Sequence, residues 1–488
     1  MKNGILRCLG HEPTADQKRA VDVFSQFMEH GRRGRNDRPP VMILRGSAGT
    51  GKTTLAAAIV RAMQQMQQKL VLLAPTGRAA KVFSLYSGHP AYTIHRRIYR
   101  QRTAGDFSAF HLNDNLHTDT LFIIDEASMI SNGNTSQGGP AAAEFGSGCL
   151  LDDLVAYVYS GRNCRMMLIG DSAQLPPVGE QQSPALLGDM LAGYGLEVYQ
   201  TDLNEVLRQS RESGILFNAT QIRETSLQMP DAILQSPKIT VEGFDDIKVV
   251  NGDELIEHLV SSYSQAGVDG TIVVTRSNKR ANIYNKGIRS TVLDREDELC
   301  RGDQLMIVKN NYFWVTPPQP GSHSSAPTFL ANGDRCVVQR VRNIREEHGF
   351  RFADVTMVMP DYDDFELTAT VILDTLTAEA PALTHEQQEQ LYNSVMADYA
   401  DIPLKADRVK QMKQDTYWNA LQVKFGYSVT CHKAQGGQWE HVYLDQGYMT
   451  DDMLTPEYIH WLYTAFTRAT GRLFLVNWPN TQLAVCKS

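Results

Sequence analysis

Cysteine is sparse and scattered in this sequence. The seven cysteines (Cys8, Cys149, Cys164, Cys300, Cys336, Cys431, Cys486) lie far apart and form no C-x-x-C pair. An odd, dispersed set of thiols excludes a disulfide framework and reads as a reduced, cytoplasmic protein. Only Cys431 has a histidine beside it, His432, and adjacent residues of a strand point to opposite faces, which argues against a zinc pair. Long apolar runs are missing too: no stretch approaches the roughly 18 residues of a membrane span, and M-K-N-G-I-L-R-C-L-G-H has no signal-peptide core. Positive charge is short, with 47 Lys and Arg against 55 Asp and Glu, a net charge of −8 and a pI near 5.9. That balance lowers the expectation of nucleic-acid binding without removing it, because a groove can be basic on an acidic protein. No coiled-coil heptads occur, so nothing favours an oligomer and a monomer is expected.

What is present centres on Leu44–Thr54, L-R-G-S-A-G-T-G-K-T-T. Met42, Ile43 and Leu44 suit a buried strand, Gly46 to Gly51 a glycine-punctuated turn, and Leu55 to Met63 an alanine-rich helix. This is the setting of a phosphate-binding loop. Gly46, Gly49 and Gly51 let the backbone approach phosphate closely, so the N–H groups from Ala48 to Thr54, Thr50 among them, can surround its oxygens at the helix's positive end. Lys52 would reach the β- and γ-phosphates and the Thr53 hydroxyl would hold Mg²⁺. The chain is expected to bind a nucleoside triphosphate, ATP, with Mg²⁺.

At 488 residues the chain exceeds one core. Thr14 caps an amphipathic helix over 14–30, and a basic linker, 31–40, leads to the P-loop strand. Buried strands follow at Leu70–Ala74, Leu121–Ile124, Met166–Ile169 and near Glu197–Tyr199, with helices between them, which predicts a parallel α/β sheet. Residues 131–149 are Gly-, Ser- and Asn-rich and read as a loop. A second α/β set opens with a helix at 213–225, a strand at Thr271–Thr275 and a helix at 277–290, and resumes over the last 60 residues. Between its two parts, segments at 304–309, 335–341 and 351–359 are rich in β-formers, the last two suggesting a small barrel, and 375–418 is polar and helical with no assigned role.

Asp125 and Glu126 end an apolar strand, where open α/β sheets place their ligands. Beside a P-loop, the first carboxylate completes the Mg²⁺ shell with Thr53 and the second polarises the attacking water. Gly170 to Val178 (G-D-S-A-Q-L-P-P-V) carries Asp171 and Gln174 on a proline-stiffened turn suited to sensing the γ-phosphate.

With these motifs the sequence resembles superfamily 1 helicases, in particular the RecD-like and Dda-like members of branch 1B, over roughly residues 13–478. Gln17 matches their adenine-reading glutamine. Ala74-Pro75-Thr76-Gly77-Arg78-Ala79-Ala80 and Thr93-Ile94-His95 are similar to motifs that grip single-stranded DNA. Leu207-Arg208-Gln209, Thr430-Cys431-His432-Lys433-Ala434-Gln435-Gly436 and Tyr463-Thr464-Ala465-Phe466-Thr467-Arg468-Ala469 resemble motifs IV, V and VI. The resemblance implies Arg208 and Arg468 as arginine fingers, whose always-charged planar forks suit phosphate, and adds Gln435 and Gly436 to the ATP site. DNA contacts are expected from Pro75, Thr76, Phe83, Thr93, His95, Thr430, His432 and Lys433.

The implied fold is α/β: two RecA-like P-loop NTPase domains with small inserted subdomains, including an SH3-like β-barrel. Expected boundaries are 1–210 for the first domain, with a strand-splitting pin near 103–118 carrying Phe107 and Phe110. The second domain spans 211–334 and 419–488, interrupted by a barrel and polar extension over 335–418. The implied function is an ATP-dependent DNA helicase moving 5′→3′ on single strands and acting at single-strand/duplex junctions. The alternatives are an RNA- or ribonucleoprotein-directed motor, and a non-motor ATPase subunit of a nuclease or replisome complex.

Overall fold

The apolar run that ends at the P-loop, Pro40–Gly46, lies between Arg165–Gly170 and Glu197–Leu203 in a six-stranded sheet. Thr120–Ile124, Lys69–Ala74 and Ala91–Thr93 complete it, every pair parallel. The computed structural model describes residues 1–30, 38–101, 109–133, 144–205, 212–227, 236–315, 327, 329–450 and 453–484. Helices cover both faces, so the inner strands are buried along their length, as continuous Val/Ile/Leu runs require. Phe24, Phe27, Leu55, Ile59 and Phe83 pack with Met42 and Leu44 on one side. The Thr14 capping box opens the helix Ala15–Glu29, and Thr76 and Thr93 cap the helices that follow them.

A second parallel sheet runs Ile247–Val250, Ala469–Val476, Trp439–Asp445, Thr271–Thr275, Ser428–Thr430. Its strands come from both sides of the barrel, so the chain leaves this layer, builds the barrel and returns. The protein is thus an α/β molecule of two P-loop NTPase-type domains with an inserted β-barrel.

The barrel is wider in sequence than the expected 335–418. Arg335–Glu347, Phe350–Met359 and Phe365–Ile372 form its antiparallel centre, and Gln304–Ile307 and Leu421–Phe425, expected in the flanking parts of the second domain, close it. Short apolar strands read alike whether a barrel or a parallel sheet takes them. Just Gly426 and Tyr427 separate the last barrel strand from the sheet strand Ser428–Thr430. The polar stretch 375–418 forms helices His385–Asp398 and Lys405–Met412, whose Leu391, Val395 and Met412 bury Phe350, Phe352 and Ile372 at one end of the barrel.

Tyr99–Gln101, Ala109–Leu112 and Glu144–Phe145 make a small third sheet where the pin is expected. Phe107 lies outside the described residues, as do 31–37 of the basic linker and 134–143 of the Gly/Ser-rich stretch. Phe110 is buried, its ring centroid 4.4 Å from that of Tyr312. Among the described residues no helix is long and apolar enough to cross a membrane.

Candidate functional site

The P-loop turns as its glycines allow. Gly49 and Gly51 both hold φ +76°, the left-handed region, and a Cβ on Gly46 would lie 2.9 Å from Thr50 Oγ1 and 3.2 Å from Leu203 Cβ. Lys52 begins the helix Lys52–Gln65, its Nζ donating to Gly46 O at 2.6 Å and lying 3.8 Å from Asp171. Thr50 is buried, its hydroxyl donating to Ser47 O at 2.8 Å, whereas Thr53 is exposed and Ala48 and Thr54 are partly so. Gln17, the expected adenine reader, lies against the P-loop. It is fully buried, its Oε1 accepting from Thr14 N and its Nε2 donating to Thr50 O at 3.5 Å, so it ties a helix cap to the P-loop.

Asp125 follows Thr120–Ile124 at the strand's carboxyl end. Its Oδ1 accepts from Glu126 N at 2.9 Å and its Oδ2 from the Tyr86 hydroxyl. Burial pushes both acids above the usual carboxylate range, and Asp125 raises Glu126 further, while Lys52 and Arg468 draw Glu126 back toward ionisation. Glu126 sits at φ +52°, a conformation that costs about 1–3 kcal/mol outside glycine. The Thr53 hydroxyl and an Asp125 carboxylate are hard oxygen donors of the kind Mg²⁺ shares with substrate phosphates. Among the described residues no three His, Cys, Asp or Glu side chains form a protein-only cage.

The second domain closes on this site through the helix Pro456–Phe466. The Tyr463 hydroxyl donates to Asp171 Oδ2 at 2.7 Å and accepts from Ala48 N at 2.8 Å, joining P-loop and Asp171 turn. Thr464 Oγ1 accepts from Leu175 N at 2.7 Å, and the Gln435 amide donates to Leu175 O at 2.6 Å. Arg468 is buried and donates to Thr464 O, Gly437 O and Thr467 Oγ1 at 3.0–3.1 Å. Gln174 is buried as well, its Oε1 without a protein partner. Arg208 lies outside the described residues.

On the far side of the same turn is a cavity of about 960 Å³ between both domains and the barrel. Thr76, Thr430, His432 and Lys433, four of the expected DNA contacts, line it together with Arg78, Arg276, Lys279 and Arg335. The Lys433 Nζ is buried without a partner, and burial, with Lys424 nearby, holds its pKa down at about 8. Burial also lowers His432. The Arg78 guanidinium stacks 4.0 Å from the Trp439 ring centroid and donates to Gln438 O, bridging the two domains. Burial and the neighbouring Arg335 bring it down to about 9.

Several expected contacts fall elsewhere. Phe83 is fully buried in the first domain's core, because the helix Gly77–Ser87 turns that face inward. Thr93 is buried and spends its hydroxyl capping Arg96 N. His95 packs beside Tyr99 and Phe329, and burial drops its pKa to about 4, making it a neutral packing group. Pro75 is partly exposed but is not among the cavity's lining residues. Gln435 is among the cavity's lining residues, and a Cβ on Gly436 would come 3.1 Å from Thr76 Oγ1, a residue of the same lining. Tyr86, Tyr463, Arg276, Lys279 and Arg335 were not singled out from the sequence. Tyr463 and Arg78 stand inside recognisable motifs, whereas the others carry no local signal.

An AAA domain family matches residues 32–235, and a UvrD-like helicase C-terminal domain matches 425–476. The chain is 24% identical to the ATP-dependent DNA helicase dda of Enterobacteria phage T4 over 443 residues, covering 87% of this chain and 90% of that one. It is 32% identical to the ATP-dependent RecD2 DNA helicase of Deinococcus radiodurans over 139 residues, 28% of this chain but only 16% of the relative. Among solved structures, Pif1 helicase from Bacteroides in complex with ADP-AlF3 and ssDNA is similar at 14% identity, with 98% and 95% of the two chains covered and a TM-score of 0.45.

Proposed function

We propose, from the premise that this chain belongs to the RecD-like and Dda-like ATP-dependent helicases, a motor of branch 1B that moves 5′→3′ on single-stranded DNA and opens the duplex ahead of it. The observation that carries this reading is the turn from Asp171 to Val178. At one end Asp171 faces Lys52 and Tyr463. In the middle Leu175 is gripped through both backbone groups by Thr464 and Gln435, and at the other end Pro177 and Val178 line the large cavity. One short, proline-stiffened segment therefore touches the phosphate site, the second domain and the channel. A change in how the domains close on ATP is passed to the strand.

In this mechanism the P-loop amides and Lys52 hold the β- and γ-phosphates. Thr53 and Asp125 would hold Mg²⁺, which supplies neutralising charge to the phosphates. Glu126 orients and deprotonates the attacking water, Gln174 on the Asp171–Val178 turn senses the γ-phosphate, and Arg468, with Arg208, answers the charge that builds as the γ-phosphoryl leaves. Thr76, Thr430, His432 and Lys433, joined by Arg276, Lys279 and Arg335, contact the phosphates of a single strand. The 5′→3′ direction is carried over from the family resemblance. A reducing, cytoplasmic setting is supported by the free thiols among the described residues.

The test is ATP hydrolysis by the purified chain, alone and with DNA or RNA oligomers of one sequence, followed by unwinding of duplexes with a 5′ or a 3′ tail. DNA stimulation with unwinding from the 5′ tail is expected. Unwinding from the 3′ tail would discard the direction, and stimulation by RNA alone would replace the substrate.

A further inference from the structure

The helix Gly214–Leu227 belongs to the second domain, yet one of its side chains reaches the P-loop. Arg223 Nη1 donates to Ser47 Oγ at 2.6 Å across 176 residues of sequence. Its Nε is buried and finds no protein acceptor. Among the described residues no carboxylate lies within ion-pair distance of it, although Asp171 and Asp202 line the same cavity. That cavity, about 90 Å³, is bounded by Gly46, Ser47, Asp171, Ala173, Asn204 and Arg223 itself. The charge of Arg223 also acts on the Tyr463 phenol, which bridges Ala48 and Asp171.

A guanidinium stays protonated, and a buried, unanswered donor on it is costly. Ser47 offers just a neutral hydroxyl. The chemistry that would satisfy this cation at the mouth of a phosphate-binding loop is a polyanion. By contrast, the three guanidinium nitrogens of Arg468 already donate to Thr464, Gly437 and Thr467.

We propose that Arg223 is a further nucleotide-contacting arginine, delivered to the P-loop by the second domain, which takes an oxygen of the terminal phosphate and so distinguishes nucleoside triphosphate from diphosphate. This rests on the reading of the P-loop as an ATP site. Because Arg223 is anchored on the helix Gly214–Leu227 and Arg468 in the turn that follows Pro456–Phe466, Arg223 gives the second domain an independent reason to close when a triphosphate is bound and to release once the terminal phosphate has gone.

The test compares the full-length chain with Arg223→Ala and Arg223→Lys, titrating fluorescent ADP and a fluorescent non-hydrolysable ATP analogue. Thermal melts check that each variant is folded. Arg223→Ala is expected to weaken the analogue by at least about tenfold, the factor one charge-assisted hydrogen bond supplies, with ADP changed by less than about threefold. Arg223→Lys should recover part of the loss, and keeps the test open if the alanine variant does not fold. Equal losses for both nucleotides, or no loss, would reduce Arg223 to a strut between domains and overturn the proposal. So would Ser47→Ala reproducing the selective loss with Arg223 intact. Failure of the unaltered chain to bind either nucleotide would instead overturn the P-loop reading itself.

Discussion

Lys52 and Lys433 place the same ammonium group in two surroundings. Lys52 stands at a helix N-terminus among glycines, with Asp171 3.8 Å away. Its replacement in Lys52→Ala should lower ATP turnover by about 10² or more, since it removes charge aimed at the developing transition state. Binding of a labelled single strand should stay within about threefold, because the channel residues lie beyond the Asp171–Val178 turn. Lys433 is buried without a partner, and its pKa is held at about 8. Strand phosphate favours the ammonium and raises that pKa, so binding takes up a proton once the free side chain has lost one. Affinity for single-stranded DNA is therefore expected to be level below about pH 7 and to fall as pH rises through 8, read by anisotropy at constant salt. Lys433→Gln should flatten that fall and reduce the slope of log K against log salt by about 0.7.

The Asp171–Val178 turn and the joint between barrel and first domain act as elements. Tyr463→Phe removes the one hydroxyl that serves both Ala48 N and Asp171 Oδ2, a loss of about 1–3 kcal/mol at the joint between P-loop and Asp171 turn. The expected result is a fall of about tenfold or more in kcat/KM for ATP, with single-strand affinity retained. At the barrel joint, the Tyr362 hydroxyl bonds Asp334, and a Cβ on Gly77 would lie 2.6 Å from that hydroxyl, so the barrel presses directly on the helix that begins at Gly77. Burial, with Asp361 adding to it, lifts the Asp334 carboxyl to about 7. The folded state thus keeps a proton that the unfolded chain gives up near its ordinary value, and the stability this contributes is full at low pH and lost as pH rises through 7. Asp334→Asn should flatten the melting temperature between pH 5 and 8 and raise it at the upper end. A barrel joint that melts no higher at pH 8 in this variant would mean that Asp334 ionises without penalty.

For the whole molecule, the channel exists only because two sheets and a barrel meet. Arg78 crosses that meeting, stacked on Trp439 and bonded to Gln438. Arg78→Ala should leave basal ATP hydrolysis within about threefold while reducing its stimulation by single-stranded DNA, a split that loss of the P-loop itself would not produce. The first domain's parallel sheet, the P-loop, Asp125–Glu126 and the Asp171 turn were legible in the chain, because apolar runs, glycine spacing and strand-end carboxylates are local chemistry. The barrel's closing strands were not, since Gln304–Ile307 and Leu421–Phe425 differ from sheet strands only in whom they pair with. Motif resemblance brought Phe83, His95 and Gln435 to the ligands, yet which face of a helix turns inward depends on what packs over it. Phe83 went to the core, His95 to an aromatic cluster, and Gln435 to the channel. Glycine spacing, apolar runs and strand-end carboxylates are enough to read a chain that handles a nucleoside triphosphate in an α/β frame. Which second-domain side chains reach that site, Tyr463, Thr464 and Arg223, follows from how the two domains pack, because contacts between residues hundreds of positions apart leave no local trace.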